Sequence, residues 1–336
     1  MRTIRDVSVA VVGGAGFLGS HLVDTLIEDR GCKVVVMDNL HSGRREFVHR
    51  DATFEHIDIT GSENAIYQCF KRHEVRFVFN YAAHPYIPDS FARPLYTFMV
   101  NAAGALQVIN AAHDAKVEAI LQVSSAEIYG DGPHVEDFDT DAIIERKMRL
   151  TEDTPIVPHS SYGAAKAAID SLCQVRWKEA GTPVIAMRQF NAYGPKETHK
   201  YVIPEIISQL SIQKDKQSAI VRLGNNSFRD FQYAEDAVRM AVDLLENGDY
   251  GEVYNLGSEN GIKIYDLATL IGKLMGFSTV TVEQDPKRIR PWEIWWLQSD
   301  NSKIHKVVKS RHLTLFEDGL NKTIEHFYRQ GKWCWE

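Results

Sequence analysis

The chain has 336 residues and a formal net charge of −7; 44% of its residues are hydrophobic and 25% are charged. These values are typical of a globular protein with a large core, or of one domain with a smaller lobe. The sequence has no long basic stripe, no signal peptide and no run of eighteen apolar residues. It therefore argues against nucleic-acid and membrane partners and predicts a cytoplasmic protein.

Cysteine and histidine spacing predicts neither disulfides nor a metal site. Cys32, Cys69, Cys173 and Cys334 lie far apart and form no C-x-x-C pair. In a cytoplasmic protein such cysteines are expected to be reduced and structural. The thirteen histidines form no metal-binding motif, so we predict no bound metal.

The first predicted strand runs directly into a glycine-rich turn and then a helix. An apolar run ends at Val12, and the next residues are Gly13-Gly-Ala-Gly16-Phe17-Leu18-Gly19. Gly13 would allow a tight turn, Gly16 would let a pyrophosphate approach the backbone, and Gly19 would let helix and strand pack closely. Free N–H groups at the helix start, at Phe17 and Leu18, would attract an anion. A tight turn without a ligand is the alternative.

The second predicted strand, 33–38, ends in an acidic residue. Asp38, followed by Asn39, stands about 20 residues after the glycines, where a carboxylate would bind the adenosine ribose diol of a dinucleotide. A carboxylate there repels a 2′-phosphate, which favours NAD over NADP. Arg44 and Arg45 follow closely and are the argument for NADP.

Short apolar runs then alternate with amphipathic segments. Strands are predicted at 7–12, 33–38, 53–57, 76–80, 118–124 and 183–188. Helices are predicted at 18–30, 62–73, 90–114 (broken near Pro94) and 163–180. This alternation predicts an α/β, Rossmann-type, doubly wound parallel sheet that binds ligands at the carboxyl ends of its strands.

The alternation loosens in the second half of the chain. Helices are predicted at 200–215, 234–247 and 264–275, and short strands at 219–223, 253–256 and 279–283. We therefore predict a Rossmann domain over 1–190 and a smaller C-terminal α/β substrate lobe over 191–336, interleaved with the end of the sheet. An acidic insertion at 131–158, with a short helical pattern near 141–148, is expected on the surface over the site.

Polar residues follow the predicted strands where a cofactor would lie. Asp58-Ile59 after the third strand would meet the adenine, although Asp58 is equally well explained as an ordinary loop aspartate. Ala82 and Ala83 after the fourth strand would let backbone lie against a flat cofactor. His84 follows them and is either a site residue or a loop histidine.

Tyr162 and Lys166 are predicted to share one face of a helix, at positions i and i+4. A tyrosine with a nearby ammonium and a cationic nicotinamide can act as a base, because both charges favour the phenolate and should bring its pKa toward neutrality. The Ser125 hydroxyl, after the fifth strand, could complete a cradle for an alcohol that becomes a ketone. A tyrosine and a lysine that merely decorate a helix are the alternative.

These motifs, in this order, resemble the extended short-chain dehydrogenases/reductases of the nucleotide-sugar epimerase/dehydratase family. The matching segments extend almost to residue 300 and are GGAGFLGSHL, DNLHSGRREFV, YAAH, SSAEIYG, SYGAAK, RQFNAYGP, VIPEII and FRDFQYAEDA. They are specific for the family but not for one substrate.

The resemblance implies bound NAD and a nucleoside-diphosphate sugar, most simply a UDP sugar. It implies that Tyr162 is the base, that Lys166 holds the nicotinamide ribose and that Ser125 assists at the sugar hydroxyl. The residues that it implies for the substrate are His84, Asn191, Val202 near the nucleobase, and Arg229 and Arg288 at the diphosphate. A surface ion pair is the alternative for each arginine, and it is the interpretation that we favour for Arg290. The resemblance further implies a homodimer, in which helices 100–114 and 163–180 contact a second copy.

Ala126-Glu127 leaves the second half of the reaction open. The alanine resembles the small residue of 4-epimerases, whereas Glu127 resembles the base that removes the C5 proton in 4,6-dehydratases. We favour C5 chemistry slightly, because a carboxylate buried at a strand end is costly unless it is used or paired. A UDP-sugar 4-epimerase and a UDP-glucuronate decarboxylase are the alternatives. An NAD-sensing regulator without turnover is the non-enzymatic alternative, and the Tyr162–Lys166 pair argues against it.

Overall fold

The computed structural model describes residues 2–131, 149–214, 216–290, 292–309 and 313–330. The helical pattern predicted near 141–148 and Cys334 lie outside the described residues. Cys32, Cys69 and Cys173 are buried and free.

Seven parallel strands form the main sheet, in the order β10-β6-β5-β4-β1-β2-β3. Their bounds are β1 Ser8–Val12, β2 Lys33–Asp38, β3 Thr53–His56, β4 Phe77–Asn80, β5 Ala119–Ser125, β6 Val184–Gln189 and β10 Val253–Leu256. The order reverses between β1 and β4, which opens a crevice at the carboxyl edge. The prediction of a doubly wound α/β fold is confirmed.

Helices cover both faces of this sheet. Those of the first half are α1 Phe17–Glu28, α2 Glu63–Arg72, α3 Ile87–Ala92, α4 Pro94–Phe98, a π-helix Met99–Gly104, α5 Ala105–Asp114 and α6 Ser161–Ala180. The helix predicted over 90–114 is divided into α3, α4, the π-helix and α5. The first break falls at Arg93, which leaves the helical conformation because Pro94 crowds the residue before it.

The remaining elements build a smaller unit at the carboxyl edge of the sheet. Its helices are α7 Val202–Ser211, α9 Ile264–Leu274 and α10 Phe316–Gln330. Its strands are β7 Asn191–Tyr193, β8 Ser218–Leu223, β9 Phe228–Tyr233, β11 Gly261–Lys263, β12 Thr279–Gln284 and β13 Trp296–Leu297. β9 is central and pairs with β7, β11 and β13, while β8 pairs with β12. These helices and strands enclose a hydrophobic core separate from the two beside the main sheet.

Two elements beyond residue 190 nevertheless belong to the main sheet. β10 pairs in parallel with β6, and α8 (Ala234–Asn247) packs in the core that β1 and α1 share. The chain thus returns to the first unit after entering the second, as the predicted interleaving requires. The division at residue 190 itself stays a prediction.

A buried ion pair fixes α6 on the sheet. The guanidinium of Arg188 on β6 donates to both carboxylate oxygens of Asp170 on α6, at 3.1 and 2.8 Å. The same guanidinium donates to the Tyr129 hydroxyl at 2.8 Å and to the Glu152 carbonyl at 2.9 Å. Because its buried charges are all paired, this network can hold the helix without leaving an unsatisfied polar group.

Among the described residues, no helix is long and apolar enough to span a membrane.

Candidate active site

One cavity of about 580 Å³ lies at the carboxyl edge of the main sheet, between the sheet and the smaller unit. Its volume is in the range that ligand sites occupy. It gathers predicted residues that are far apart in the sequence. Those that line it are Gly13, Gly16, Phe17, Leu18, Gly19, Asp38, Asn39, Asp58, Ile59, Ala82, Ala83, His84, Ser125, Glu127, Tyr162, Lys166, Asn191 and Val202.

The glycine turn is packed too closely for other residues. Gly13 has a φ of +79°, and a Cβ there would lie 2.6 Å from the Ala82 nitrogen. A Cβ on Gly19 would lie 2.1 Å from the Gly13 carbonyl oxygen. Gly16 precedes α1, and no described side chain caps that helix start. The turn therefore presents bare backbone N–H groups to the cavity, as a pyrophosphate requires.

Asp38 has a structural role in addition to its predicted one. Its carboxylate accepts hydrogen bonds from the Ala15 N–H at 3.0 Å and the Leu40 N–H at 2.8 Å. Burial raises the pKa of Asp38, and these two bonds offset the rise only in part. The residue thus ties the end of β2 to the glycine turn, and its contact with a ribose stays a prediction.

Asn39 and Asp58 contact each other at the end of the cavity near β2 and β3. Asn39 Nδ2 donates to Asp58 Oδ2 at 2.9 Å. Burial alone would raise the pKa of Asp58, but hydrogen bonds from Asn39 and Thr60 outweigh it and hold the pKa below its usual range. Asp58 therefore offers an ionised acceptor at this end of the cavity.

Tyr162 and Lys166 lie in the first turns of α6, both buried. Ser160 caps the helix by accepting from the Gly163 N–H at 3.0 Å. Lys166 Nζ donates to the Val123 carbonyl at 2.8 Å and lies 5.9 Å from the centre of the Tyr162 ring. Burial lowers the pKa of Lys166 to about 8. The ammonium is thus desolvated beside the phenol.

Burial raises the pKa of Tyr162, and only the hydrogen bond with Ser125 acts in the lowering direction. This direction is opposite to the one that the sequence predicts. The predicted near-neutral pKa of Tyr162 assumed a cationic nicotinamide as well as Lys166. Without the nicotinamide, the chain's own groups do not compensate for the loss of hydration of the phenolate.

Glu127 follows β5 and stands beside these groups. Its N–H donates to Ser125 Oγ at 3.2 Å, in a short 3₁₀ turn, Ala126–Tyr129. Burial raises the pKa of the Glu127 carboxyl, while the charge of Arg229 opposes the rise. Glu127 also raises the pKa of Tyr162, so the two groups are electrostatically coupled.

Arg229 and Arg288, which the sequence analysis places at the diphosphate, do not line the cavity. Arg288 is 44% exposed in its side chain and pairs with Glu205 at 2.9 Å and Asp285 at 3.3 Å, outside the cavity. Arg229 is buried and donates to Glu293 at 2.5 Å, and it does not line the cavity either. The structure does not bring Arg288 to the cavity, because acidic neighbours hold its guanidinium elsewhere, and its contact with a diphosphate stays a prediction. Arg229 acts electrostatically on Glu127 from behind the wall.

Arg290 is a second arginine that acts electrostatically on the cavity, after Arg229. It lowers the pKa of two residues that line the cavity, Glu127 and Tyr201. Its backbone N–H donates to Asn225 Oδ1 at 2.9 Å, which fixes the segment after β12. No ion pair joins Arg290 to the residues that the structure describes, so its interpretation as part of a surface ion pair stays a prediction.

His84 is held at the cavity through its backbone. Asn101, on the π-helix, accepts from the His84 N–H at 2.9 Å and donates to the His84 carbonyl at 3.0 Å. The imidazole is 6% exposed, and its Nε2 has no hydrogen-bond partner among the described residues. Burial lowers the pKa of His84, so the neutral ring faces the cavity.

Sequence reasoning missed the segment between β7 and α7. Residues 196–201 all line the cavity, and burial raises the pKa of both Glu197 and Tyr201. Their position after a strand at the carboxyl edge was the available signal. The segment was overlooked because KETHKY has the composition of an ordinary surface loop.

One group of three metal-ligand types lies outside the cavity. The ligand atoms of Glu55, Cys69 and His73 lie within 4.8 Å of one another, and the search that found them covers only the described residues. Glu55 also pairs with Arg72 at 2.9 Å. A structural ion-pair cluster accounts for this geometry.

A sequence model of the NAD dependent epimerase/dehydratase family matches residues 9–257. The chain belongs to this family. Human dTDP-D-glucose 4,6-dehydratase is 30% identical over 98% of this chain and 91% of its own length. The Escherichia coli K12 dTDP-glucose 4,6-dehydratase 1 is 29% identical over 97% of this chain and 94% of its own length.

Two solved structures of nucleotide-sugar enzymes are also similar to this chain. A UDP-glucose 4-epimerase from Thermotoga maritima, solved with UDP-glucose, has a TM-score of 0.86 at 26% identity over 97% of this chain and 100% of that chain. A dTDP-glucose 4,6-dehydratase from Streptomyces venezuelae, solved with NAD, has a TM-score of 0.83 at 25% identity over 98% and 99%.

Membership in this family confirms the predictions of an enzyme and of NAD as its cofactor. The cavity can accommodate NAD, because the glycine turn leaves no room for a Cβ and its helix start has no side-chain cap on the N–H groups. The residues that would hold NAD are the turn at 13–19, Asp38, Asp58 and Lys166. When bound, NAD supplies a reversible acceptor for hydride.

Replacing Asp38 with glycine is expected to weaken NAD binding by roughly tenfold to a hundredfold, because a hydrogen bond to a charged group contributes about 1.5–3 kcal/mol. NADP binding should fall less, since the carboxylate that repels its 2′-phosphate is also gone. Calorimetric dissociation constants for both cofactors on the apoprotein measure the effect.

The ratio of the two constants is the informative quantity, because a loosened glycine turn would weaken both cofactors alike. Asp51→Gly, on the exposed turn before β3, is the matched control and should leave both constants unchanged. An unchanged NAD/NADP ratio in Asp38→Gly would refute the ribose contact.

Proposed function

We propose that the protein is a nucleoside-diphospho-hexose 4,6-dehydratase, which oxidises the sugar at C4 and then removes water across C5 and C6. The observation that carries the proposal is the presence of Ser125, Tyr162, Lys166 and Glu127 on one cavity wall. The human and E. coli relatives, named as dTDP-glucose 4,6-dehydratases over nearly the whole chain, support it.

The first half of the reaction needs a base at the C4 hydroxyl. Tyr162 would take that proton while hydride leaves C4, and Ser125 would hold the same oxygen. Lys166 would orient the nicotinamide ribose and supply positive charge beside the phenol. Desolvation makes that charge act over a short distance with little screening.

The second half needs a base at C5. A ketone at C4 acidifies the C5 proton, because the carbanion is stabilised as an enolate. Glu127 lies beside Ser125 and Tyr162, and its raised pKa makes it a stronger base once ionised. We assign it to this proton.

A 4-epimerase is the second candidate, and Ala126 is the observation that favours it. An epimerase needs no acid at that position, and the T. maritima neighbour is named as a UDP-glucose 4-epimerase. A decarboxylase would need only a 6-carboxylate on the sugar. Both reactions leave the C5 proton in place, which separates them from the dehydratase.

The rest of the substrate would extend from the reacting groups toward α7. Asn191 has a buried Oδ1 without a partner among the described residues, and Val202 begins α7. Asn191 and Arg290 would contact the diphosphate, and Val202 the nucleobase. The resemblance favours a UDP sugar, whereas the curated relatives are named for dTDP-glucose, so a pyrimidine nucleotide is proposed.

We propose a homodimer formed through α3, α4 and α6. Large apolar side chains are exposed together on α3 and α4, where Phe91 is 46%, Leu95 74% and Phe98 46% exposed. Val175 and Trp177 on α6 are exposed as well. A patch of this kind is typical of a protein interface, and two copies of α6 with their neighbours could form a four-helix contact. A cytoplasmic location is also proposed, since the described cysteines are free.

Glu127→Gln is expected to abolish C5 chemistry while sparing C4 oxidation. In heavy water, the wild type should place deuterium at C5 of a dTDP- or UDP-glucose, followed by NMR. The variant should lose this exchange by at least about a hundredfold, the usual contribution of a general base, and still show transient absorbance of the reduced nicotinamide. Product without label at C5 would instead favour the epimerase. A decarboxylase would leave these glucose substrates unchanged and would release CO2 from a sugar with a 6-carboxylate.

Glu118→Gln is the matched control for this change. Glu118 precedes β5 at the opposite end of the strand and pairs with Arg76 on the surface. The Glu118→Gln variant should exchange deuterium at C5 and turn over substrate at the wild-type rates.

Light scattering at micromolar concentration should give the mass of a dimer. Leu95→Lys should give a monomer, because a charge would be buried in the contact. Ile212→Lys, at an exposed apolar side chain on the opposite unit, is the control and should stay dimeric. A monomer mass for the unaltered protein would refute the proposed interface.

A further inference from the structure

A second glutamate, Glu197, lines the cavity. Glu197 is 8% exposed, and its Oε2 has no hydrogen-bond partner among the described residues. It borders the same cavity as Glu127 and Tyr162. A buried carboxyl oxygen without a partner is unusual, since such groups are normally paired.

The loop around Glu197 is anchored on both sides, which directs this side chain inward. The Pro195 carbonyl lies 2.8 Å from His21 Nε2 on α1. Lys196 donates through Nζ to Asp24 at 2.7 Å and through its N–H to His326 Nε2 at 3.2 Å. The one cation next to Glu197 in sequence is thereby held on α1.

Burial favours the protonated form of Glu197. It raises the pKa of this carboxyl well above the usual value for a glutamate, and a backbone hydrogen bond with Gly194 opposes this only in part. Two other acids that line the cavity are engaged: Asp38 accepts two N–H bonds, and Asp58 is bound by Asn39 and Thr60. The Glu197 carboxyl is thus suited to donate a proton.

Tyr201 links Glu197 electrostatically to the reacting groups. It lines the same cavity, and after burial itself the charges of Tyr162 and Glu197 raise the pKa of Tyr201 further. The charge of Arg290 opposes the rise in pKa both at Tyr201 and at Glu127. Glu197, Tyr162 and Glu127 all line this cavity.

The elimination of water requires an acid that has not yet been assigned. Hydroxide is a poor leaving group and departs readily only when it is protonated. Ala126 has no proton to give, and Glu127 is occupied as the base at C5. Within the proposed dehydratase, we infer that Glu197 is the general acid that protonates the departing 6-hydroxyl.

The step balances with these two glutamates. The C5–H bond breaks, and the proton goes to the Glu127 carboxylate. The electron pair forms the C5=C6 bond, the C6–O bond breaks, and the oxygen takes the Glu197 proton and leaves as water. Glu127 ends as a carboxylic acid and Glu197 as a carboxylate.

The inference rests on the proposed function and is tested with the full-length holoenzyme and dTDP-glucose, or UDP-glucose if that is the nucleotide turned over. Glu197→Gln keeps the shape of the side chain but cannot supply an acidic proton. It should retain transient nicotinamide reduction and deuterium exchange at C5. Loss of water should fall by roughly 10²- to 10⁴-fold, the usual contribution of a general acid.

A substrate with fluorine in place of the 6-hydroxyl separates acid catalysis from positioning. Fluoride leaves without a proton, so Glu197→Gln should eliminate it at close to the wild-type rate. Glu283→Gln, on the exposed edge of β12, is the matched control and should resemble the wild type with both substrates.

Three results would overturn the assignment. Equal slowing of the hydroxyl and fluoro substrates would make Glu197 a positioning residue. Weakened NAD binding would make it a cofactor contact, and an unchanged rate of water loss would remove it from the reaction. If the wild type neither exchanges C5 nor loses water, the proposed dehydratase itself fails, and this outcome is distinct from the other three.

Discussion

The ion pair between Arg188 and Asp170 determines where the reactive groups stand. It is buried, bidentate and extended by Tyr129, whose hydroxyl donates to Asn255 on β10 at 2.6 Å. It therefore joins α6, β6 and β10 in one network. Tyr162 and Lys166 begin the same helix, and Ser125 ends the neighbouring strand, so the network fixes the helix against the strand ends.

Burial then shifts the pKa values of the reactive groups in the cavity. It lowers the pKa of Lys166 to about 8 and raises those of Tyr162, Glu127 and Glu197. Each shift disfavours a charge, as expected in a poorly hydrated cavity. Burial therefore favours the neutral forms of Tyr162, Glu127, Glu197 and Lys166, and a cationic cofactor beside Tyr162 would act in the opposite direction on its phenol. Base strength at C4 would thus depend on the cofactor being in place.

The first unit could be predicted because its signals are local. β1, the glycine turn and α1 adjoin in sequence, and the i, i+4 spacing of Tyr162 and Lys166 needs only one helix. β9 could not be predicted in this way, because the charged residues of FRDFQY are buried and paired with residues far along the chain. Arg229 pairs with Glu293, and Asp230 accepts hydrogen bonds from Ser258 and Ser299. The ion pairs of Arg288 outside the cavity and the position of Glu197 in its lining have the same cause, since each depends on tertiary neighbours that no spacing reveals.

In the proposed reaction, hydride leaves C4 and water leaves across C5 and C6 in one cavity. Substrate labelled at C4 tests this sequence: the enzyme is given dTDP-glucose or UDP-glucose that carries deuterium at C4, and NMR locates the label in the product. Deuterium is expected at C6 of a 4-keto-6-deoxy sugar, because the hydride removed from C4 is returned within the same site. Deuterium that remains at C4 in a turned-over sugar would rule out the dehydratase and identify an epimerase.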